Sequence, residues 1–175
     1  MPILLPPLLL ISGMGFVLSA ITHLAALAGQ IDALDVHLPK DTLRIFTSVM
    51  SMGIFAVWVP AALIAQRINN GNRLQFSWKK VLAGCPAWMR NSAYAIFIYA
   101  FVNFFLSIAV GMTGLRVFSG HWMIFYGMAF CIFFSSWNLP SLLAPRHCPA
   151  GHEVAHGNNF CPVCGLPADH SSQDA

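Results

Sequence analysis

Charge is what this sequence has least of. Asp, Glu, Lys and Arg together make up 9% of its 175 residues, where soluble domains carry about 25%. That scarcity excludes an ordinary water-soluble domain, whose surface needs charged side chains. A formal net charge of +3 is too small to mark a nucleic-acid-binding surface, and no nucleic acid is expected as a partner. The catalytic signatures are missing as well: no H-E-x-x-H, no nucleophile elbow and no carboxylate inside an apolar run, which leaves little support for a hydrolase. No repeat, heptad or low-complexity tract is visible. No Lys or Arg precedes the first apolar run, so that run lacks the basic start of a signal peptide, although Ala26-Leu27-Ala28 resembles a small-residue cleavage site. It is read as a retained span.

What the chain has in quantity is apolar sequence, 57% hydrophobic residues and a mean hydropathy of +0.67. The expected fold class is an all-α integral membrane protein, a four-transmembrane-helix bundle with a small C-terminal zinc ribbon. A hydrocarbon layer of about 30 Å needs about 20 apolar residues in helical form. Four stretches qualify, at about 8–28, 45–65, 93–112 and 122–139, within a membrane domain of residues 1–143. Pro6-Pro7 suit a helix start, Pro60 marks a kink or end of the second span, and Pro140 closes the fourth. The polar connection before the second span carries Asp32, Asp35 and Asp41 against Lys40 and Arg44. Ser119 is expected to cap the fourth helix, with His121-Trp122 anchoring it at the interface.

Orientation follows the Lys and Arg of the connections. Arg67, Arg73, Lys79, Lys80, Arg90 and Arg146 fall on one side of the membrane, and Lys40, Arg44 and Arg116 on the other. The richer side is expected to be cytoplasmic, which puts both termini in the cytoplasm and the chain in a cell inner membrane. Within the basic connection, Leu74, Trp78, Val81, Leu82, Cys85 and Trp88 recur near helical spacing. They predict an interfacial amphipathic helix over about 74–89 in contact with membrane lipid, or otherwise a plain basic loop. Cys85 reads there as a small buried apolar residue.

The passage with the most definite chemistry is 147–165, H-C-P-A-G-H-E-V-A-H-G-N-N-F-C-P-V-C-G. Cys148 and His152 form one close pair of soft donors and Cys161 and Cys164 another. Two such pairs, each on a tight turn, can converge on one tetrahedral zinc ion. The motif C-P-x-G-H-x-V followed by F-C-P-x-C-G resembles the small zinc-ribbon modules at the ends of many bacterial proteins, with His152 in place of one of the usual four cysteines. The resemblance covers about 20 residues, within a module taken as 144–168, and leaves 169–175 as a disordered tail. It implies a structural zinc held by Cys148, His152, Cys161 and Cys164. A disulfide framework is disfavoured by the reducing compartment, and a redox C-x-x-C by the lack of a strand–helix setting. The segment's apolar residues, Val154, Phe160, Val163 and Leu166, are too few to fold it without metal. His147, His156 and His170 are spare donors.

Inside the spans, small residues four apart mark helix contacts: Gly15 and Ser19, Ser107 and Gly111, and Gly127, Cys131 and Ser135. Asn103 is expected to hydrogen-bond across the bundle. His23 in the first span and His121 at the start of the fourth lie toward one face of the membrane, with His37 in the connection. Met50, Met52, Met112 and Met123 fall at similar depth, and imidazole with thioether can hold haem or copper. Two readings of function result. In the first, the chain is a non-catalytic accessory, assembly or interaction subunit whose cytosolic ribbon meets a protein partner. In the second, it is a redox or transport subunit built on His23, His121 and methionines. For His23, a structural hydrogen bond to a neighbouring carbonyl is the plainer role.

Overall fold

The computed structural model describes residues 2–29, 39–69, 76–110, 114–139, 146–154, 158 and 160–167. His37, His156, His170, Asp32, Asp35, Gly111, Met112 and the tail at 169–175 lie outside the described residues. Four long helices dominate: α1 (Leu5–Leu27), α2 (Lys40–Ile68), α4 (Ala87–Ala109) and α5 (Leu115–Asn138). A single helical turn, α3 (Trp78–Val81), sits between α2 and α4. A two-residue antiparallel pair, β1 (Arg146–His147) with β2 (Glu153–Val154), lies near the C-terminus. All four long helices are long and apolar enough to cross a membrane.

The helix ends differ from the hydropathy boundaries in a consistent way. α4 begins directly after Pro86, whose extended backbone precedes the first helical residue, and α5 begins after Gly114, at φ 93°. Both starts come before the apolar stretches and take in Arg90 and Arg116. Hydropathy marks the part of a helix that lipid tolerates, whereas the backbone hydrogen bonds continue into the interface. Ser119 is therefore interior to α5 and not its cap. Pro60 lies inside α2, which continues to Ile68. The amphipathic helix expected over 74–89 is replaced, from Trp78 onward, by the single turn α3, a bend through Pro86 and the first turn of α4.

The four helices do not share contacts evenly. α5 runs against α1 over most of its length, and α2 and α4 each pack on α5, while α1 and α2 meet only slightly. In its most apolar window 56% of α5 is buried, against 22% for α1, 28% for α2 and 22% for α4. The arrangement is thus three helices around a central one, a departure from an evenly sided bundle.

On α1 and part of α4 burial is inverted with respect to a soluble protein, whereas α2 and α5 bury mostly apolar side chains. On α1 the buried positions include Ser12, Gly15, Ser19 and His23, which recur at helical spacing, while Leu10, Met14, Val17, Ile21 and Leu24 face outward. On α4 Asn103 and Ser107 are buried and Phe97, Phe101 and Phe105 are exposed. When the surrounding solvent is lipid, apolar side chains gain nothing by hiding. Small and polar residues go inside, where backbones approach and hydroxyls find acceptors. Ser12 and Ser19 each return their hydroxyl to a carbonyl one turn back.

Tyr126 of α5 joins three helices. Its ring occupies the space that a side chain on Gly15 of α1 would fill, and its hydroxyl fills the space beside Gly53 of α2. That hydroxyl donates to the Met50 carbonyl at 2.8 Å. One aromatic side chain thus requires glycine on two neighbouring helices. Trp122, expected at the interface, is 1% exposed and donates its indole N–H to Ser51 Oγ at 3.2 Å. It is core because Phe46 meets it edge-on and Phe118 stacks on it.

Candidate metal centre

The C-terminal module is built from two turns of the same design. In the first, β1 and β2 pair with Arg146 opposite Val154 and His147 opposite Glu153, which closes the loop that carries Cys148 and His152. The Cys148 amide donates to the His152 carbonyl at 3.0 Å, and the Gly151 amide donates back to the Cys148 carbonyl at 2.8 Å. In the second, an isolated bridge pairs Phe160 with Pro167. Cys161 donates to the Leu166 carbonyl at 2.8 Å and Gly165 to the Cys161 carbonyl at 2.9 Å. Gly151 and Gly165 have φ of 80° and 71°, the left-handed region that side chains with a Cβ avoid. Each turn thereby folds its two donors toward one point.

The two turns meet. The donor atoms of Cys148, His152, Cys161 and Cys164 all lie within 4.8 Å of one another. Cys148 Sγ is 3.5 Å from His152 Nδ1 and 3.5 Å from Cys164 Sγ. Metal bonds of about 2.3 Å to sulfur and about 2.0 Å to nitrogen would place tetrahedral donors about 3.5–3.8 Å apart. The donor set fits a metal ion, and with four protein donors it leaves no position open to water.

Electrostatics act in the same direction at Cys161. Its burial opposes the thiolate. Hydrogen bonds from the Cys164 and Val163 amides and from the Cys164 and Cys148 thiols outweigh that cost and bring its pKa down to about 6. The Val163 N–H points at Cys161 Sγ at 3.4 Å. A thiolate is the metal-binding form, so the turn prepares one ligand in advance.

Packing inside the module is minimal. Val154 is buried between Cys148 and Cys161, and this trio is its core among the described residues. Phe160, Val163 and Leu166 are 63%, 71% and 42% exposed. These three are therefore not core. They are an apolar surface carried on the second turn. His147 is exposed, on β1, outside the donor group.

The histidines of α1 and α5 have separate surroundings. His23 is 2% exposed. Its Nδ1 lies 3.1 Å from the Arg116 carbonyl and 3.0 Å from Ser119 Oγ, and its Nε2 lies 2.7 Å from the Tyr99 hydroxyl. One assignment satisfies every contact. Nδ1–H donates to the carbonyl, which can only accept, and the Tyr99 hydroxyl donates to Nε2. Both nitrogens are thus engaged by the protein, and Tyr99 also meets the ring edge-on at 5.6 Å. His121 donates from Nδ1 to the Val117 carbonyl at 2.8 Å and packs against Phe104. Met52 is 69% exposed, while Met50 and Met123 are buried. Among the described residues, both imidazoles are engaged by carbonyl, hydroxyl and aromatic partners. Tyr99 is the partner that the sequence pattern does not single out. Its signal is general: a phenol inside a span needs an acceptor.

The fold and the donor group together define a helical protein with four helices able to cross a membrane and a C-terminal Cys3His group able to hold a metal ion. The chain matches no protein-family model, no curated protein and no solved structure.

Proposed function

We propose that this chain is a non-catalytic accessory or assembly subunit of a cell inner membrane, whose C-terminal module is a zinc ribbon presented to a protein partner in the cytoplasm. The reading is carried by one observation. The apolar side chains on the second ligand turn, Phe160, Val163 and Leu166, point outward instead of into a core. A turn held by a closed metal site is rigid without them, so their exposure suits a contact surface. Zinc is the metal that three thiolates and an imidazole in a closed set favour, since borderline-soft donors at tetrahedral spacing suit it. The cytoplasmic side is supported by the excess of Lys and Arg in the connection that carries Lys79, Lys80 and Arg90 and by the reducing environment that free thiols need.

The test joins metal analysis to crosslinking. Detergent-purified protein should contain one zinc per chain and no visible absorbance. A photo-crosslinking residue at Val163 should trap one partner in membranes, and Cys161→Ser or Cys164→Ser should abolish both zinc and crosslink. A crosslink that survives loss of zinc would sink the presentation role. A Soret band or copper signal lost in His23→Ala would move function to the membrane histidines instead.

A further inference from the structure

Four sulfur side chains that the zinc ribbon does not use are placed together by the packing of the helices. The bend at residues 82–86 docks on α5. Leu82 is fully buried, the Gly84 amide donates to Ser135 Oγ at 2.9 Å, and a side chain on Gly84 would run into the Ser135 backbone. This close approach sets Cys85 against α5, where its thiol donates to the Cys131 carbonyl at 3.2 Å. Met89 follows Cys85 by four residues on the first turn of α4, and Met128 precedes Cys131 by three on α5. Each thioether thus shares a helical face, or its extension, with one of the thiols. Met89, Met128 and Cys131 line one wholly apolar cavity of about 180 Å³ between α1, α4 and α5. All four residues are buried, Cys85 and the other three at 5–6% exposure.

We propose that Cys85 and Cys131, flanked by the thioethers of Met89 and Met128, form a binding site for a soft monovalent metal ion, Cu(I). Thiolate and thioether donors select Cu(I) over harder divalent ions. Two thiols with two thioethers lack the nitrogen or further thiolate donors that zinc uses, so the chain carries two sites of different preference. Binding forms two Cu–S bonds, breaks two S–H bonds and releases two protons to water, with no electron transferred. The site goes from neutral to one negative charge. Arg90, one residue after Met89, supplies the neighbouring positive charge.

The experiment is a Cu(I) titration of the detergent-purified, zinc-loaded full chain against a chromophoric Cu(I) chelator, under anaerobic reducing conditions. One Cu(I) per chain is expected, with a thiolate charge-transfer band and only sulfur scatterers in X-ray absorption. The equivalent should persist in the Cys161→Ser/Cys164→Ser double variant, which removes the tail site. Cys85→Ser or Cys131→Ser should eliminate it. Met89→Leu and Met128→Leu, near-isosteric and expected to keep the fold, should each weaken it by about tenfold, the scale of losing a supporting partner at a metal site. A cooperative thermal unfolding transition in detergent, retained by every variant, reports that the helical bundle is folded. Unchanged Cu(I) uptake in Cys131→Ser, or full loss in the tail double variant, would overturn the assignment. So would methionine variants of wild-type affinity, or an 85–131 disulfide that leaves no Cu(I) uptake after reduction.

Discussion

At the scale of single residues, the chemistry rests on groups whose partners are fixed by the fold. His23 sits in a span with both ring nitrogens hydrogen-bonded. Deleting one partner of a buried bond leaves the other unsatisfied, at a cost of about 1–3 kcal/mol, although bonds between membrane helices average nearer 0.6 kcal/mol. Tyr99→Phe should therefore lower thermal stability in detergent by about 0.5–1.5 kcal/mol. In a double-mutant cycle with His23→Ala the two effects should be sub-additive, and neither variant should change zinc content. Fully additive losses would mean that the Tyr99–His23 contact carries no energy. At Cys161 the folded pKa of about 6 lies below the ordinary thiol value of about 8.5. The stabilisation it contributes is present above the ordinary value and is lost as pH falls through about 6. In the metal-free chain, ultraviolet thiolate absorbance of wild type against Cys161→Ser should show one thiol titrating well below the ordinary range, and the absence of that difference would contradict the prepared thiolate.

Among the elements, α5 is the one on which the others depend. It takes Tyr126 into contact with Gly15 and Gly53, and Ser135 into contact with the 82–86 bend. Because the Tyr126 ring occupies the place of a Cβ on Gly15, Gly15→Ala should overpack the α1–α5 interface by about 1–3 kcal/mol. Leu10→Ala, at a lipid-facing position 64% exposed, should cost far less. Thermal unfolding of the two variants side by side checks this, and equal losses would argue against α5 as the centre. The small-residue pattern on α1 makes Gly15 and Ser19 legible as contact positions from the amino-acid order alone. The matching residue on α5 is not legible in that way, since a tyrosine carries no sign of which glycine it covers. Trp122 departs from its expected place for a related reason. Tryptophan near a span end is commonly interfacial, and only the rings of Phe46 and Phe118 packed around it make it core.

For the whole molecule, four helices long and apolar enough to cross a membrane carry, near the C-terminus, a Cys3His group able to hold a metal ion. The proposed orientation makes a direct prediction. A cysteine introduced by Val163→Cys, at a position 71% exposed, should react with a membrane-impermeant maleimide in inside-out vesicles and not in intact spheroplasts. The opposite labelling would place the module outside the cell and remove the basis for a cytoplasmic partner.

The sequence by itself determined the number of long apolar helices and the four Cys/His residues that could hold a metal ion. Both are local properties. Hydropathy is summed along one segment, and the four donors fall within residues 148–164 on two short turns whose glycines and prolines shape them. Only the tertiary structure decided that α5 is central and that His23 bonds Tyr99 and Ser119, 76 and 96 residues away. It alone brought Cys85 to Cys131 across 46 residues and left Phe160, Val163 and Leu166 on the surface. Those outcomes depend on which faces meet when helices pack in lipid. There, shape and hydrogen bonding choose the partner, and the hydrophobic pattern of a single helix does not record the choice.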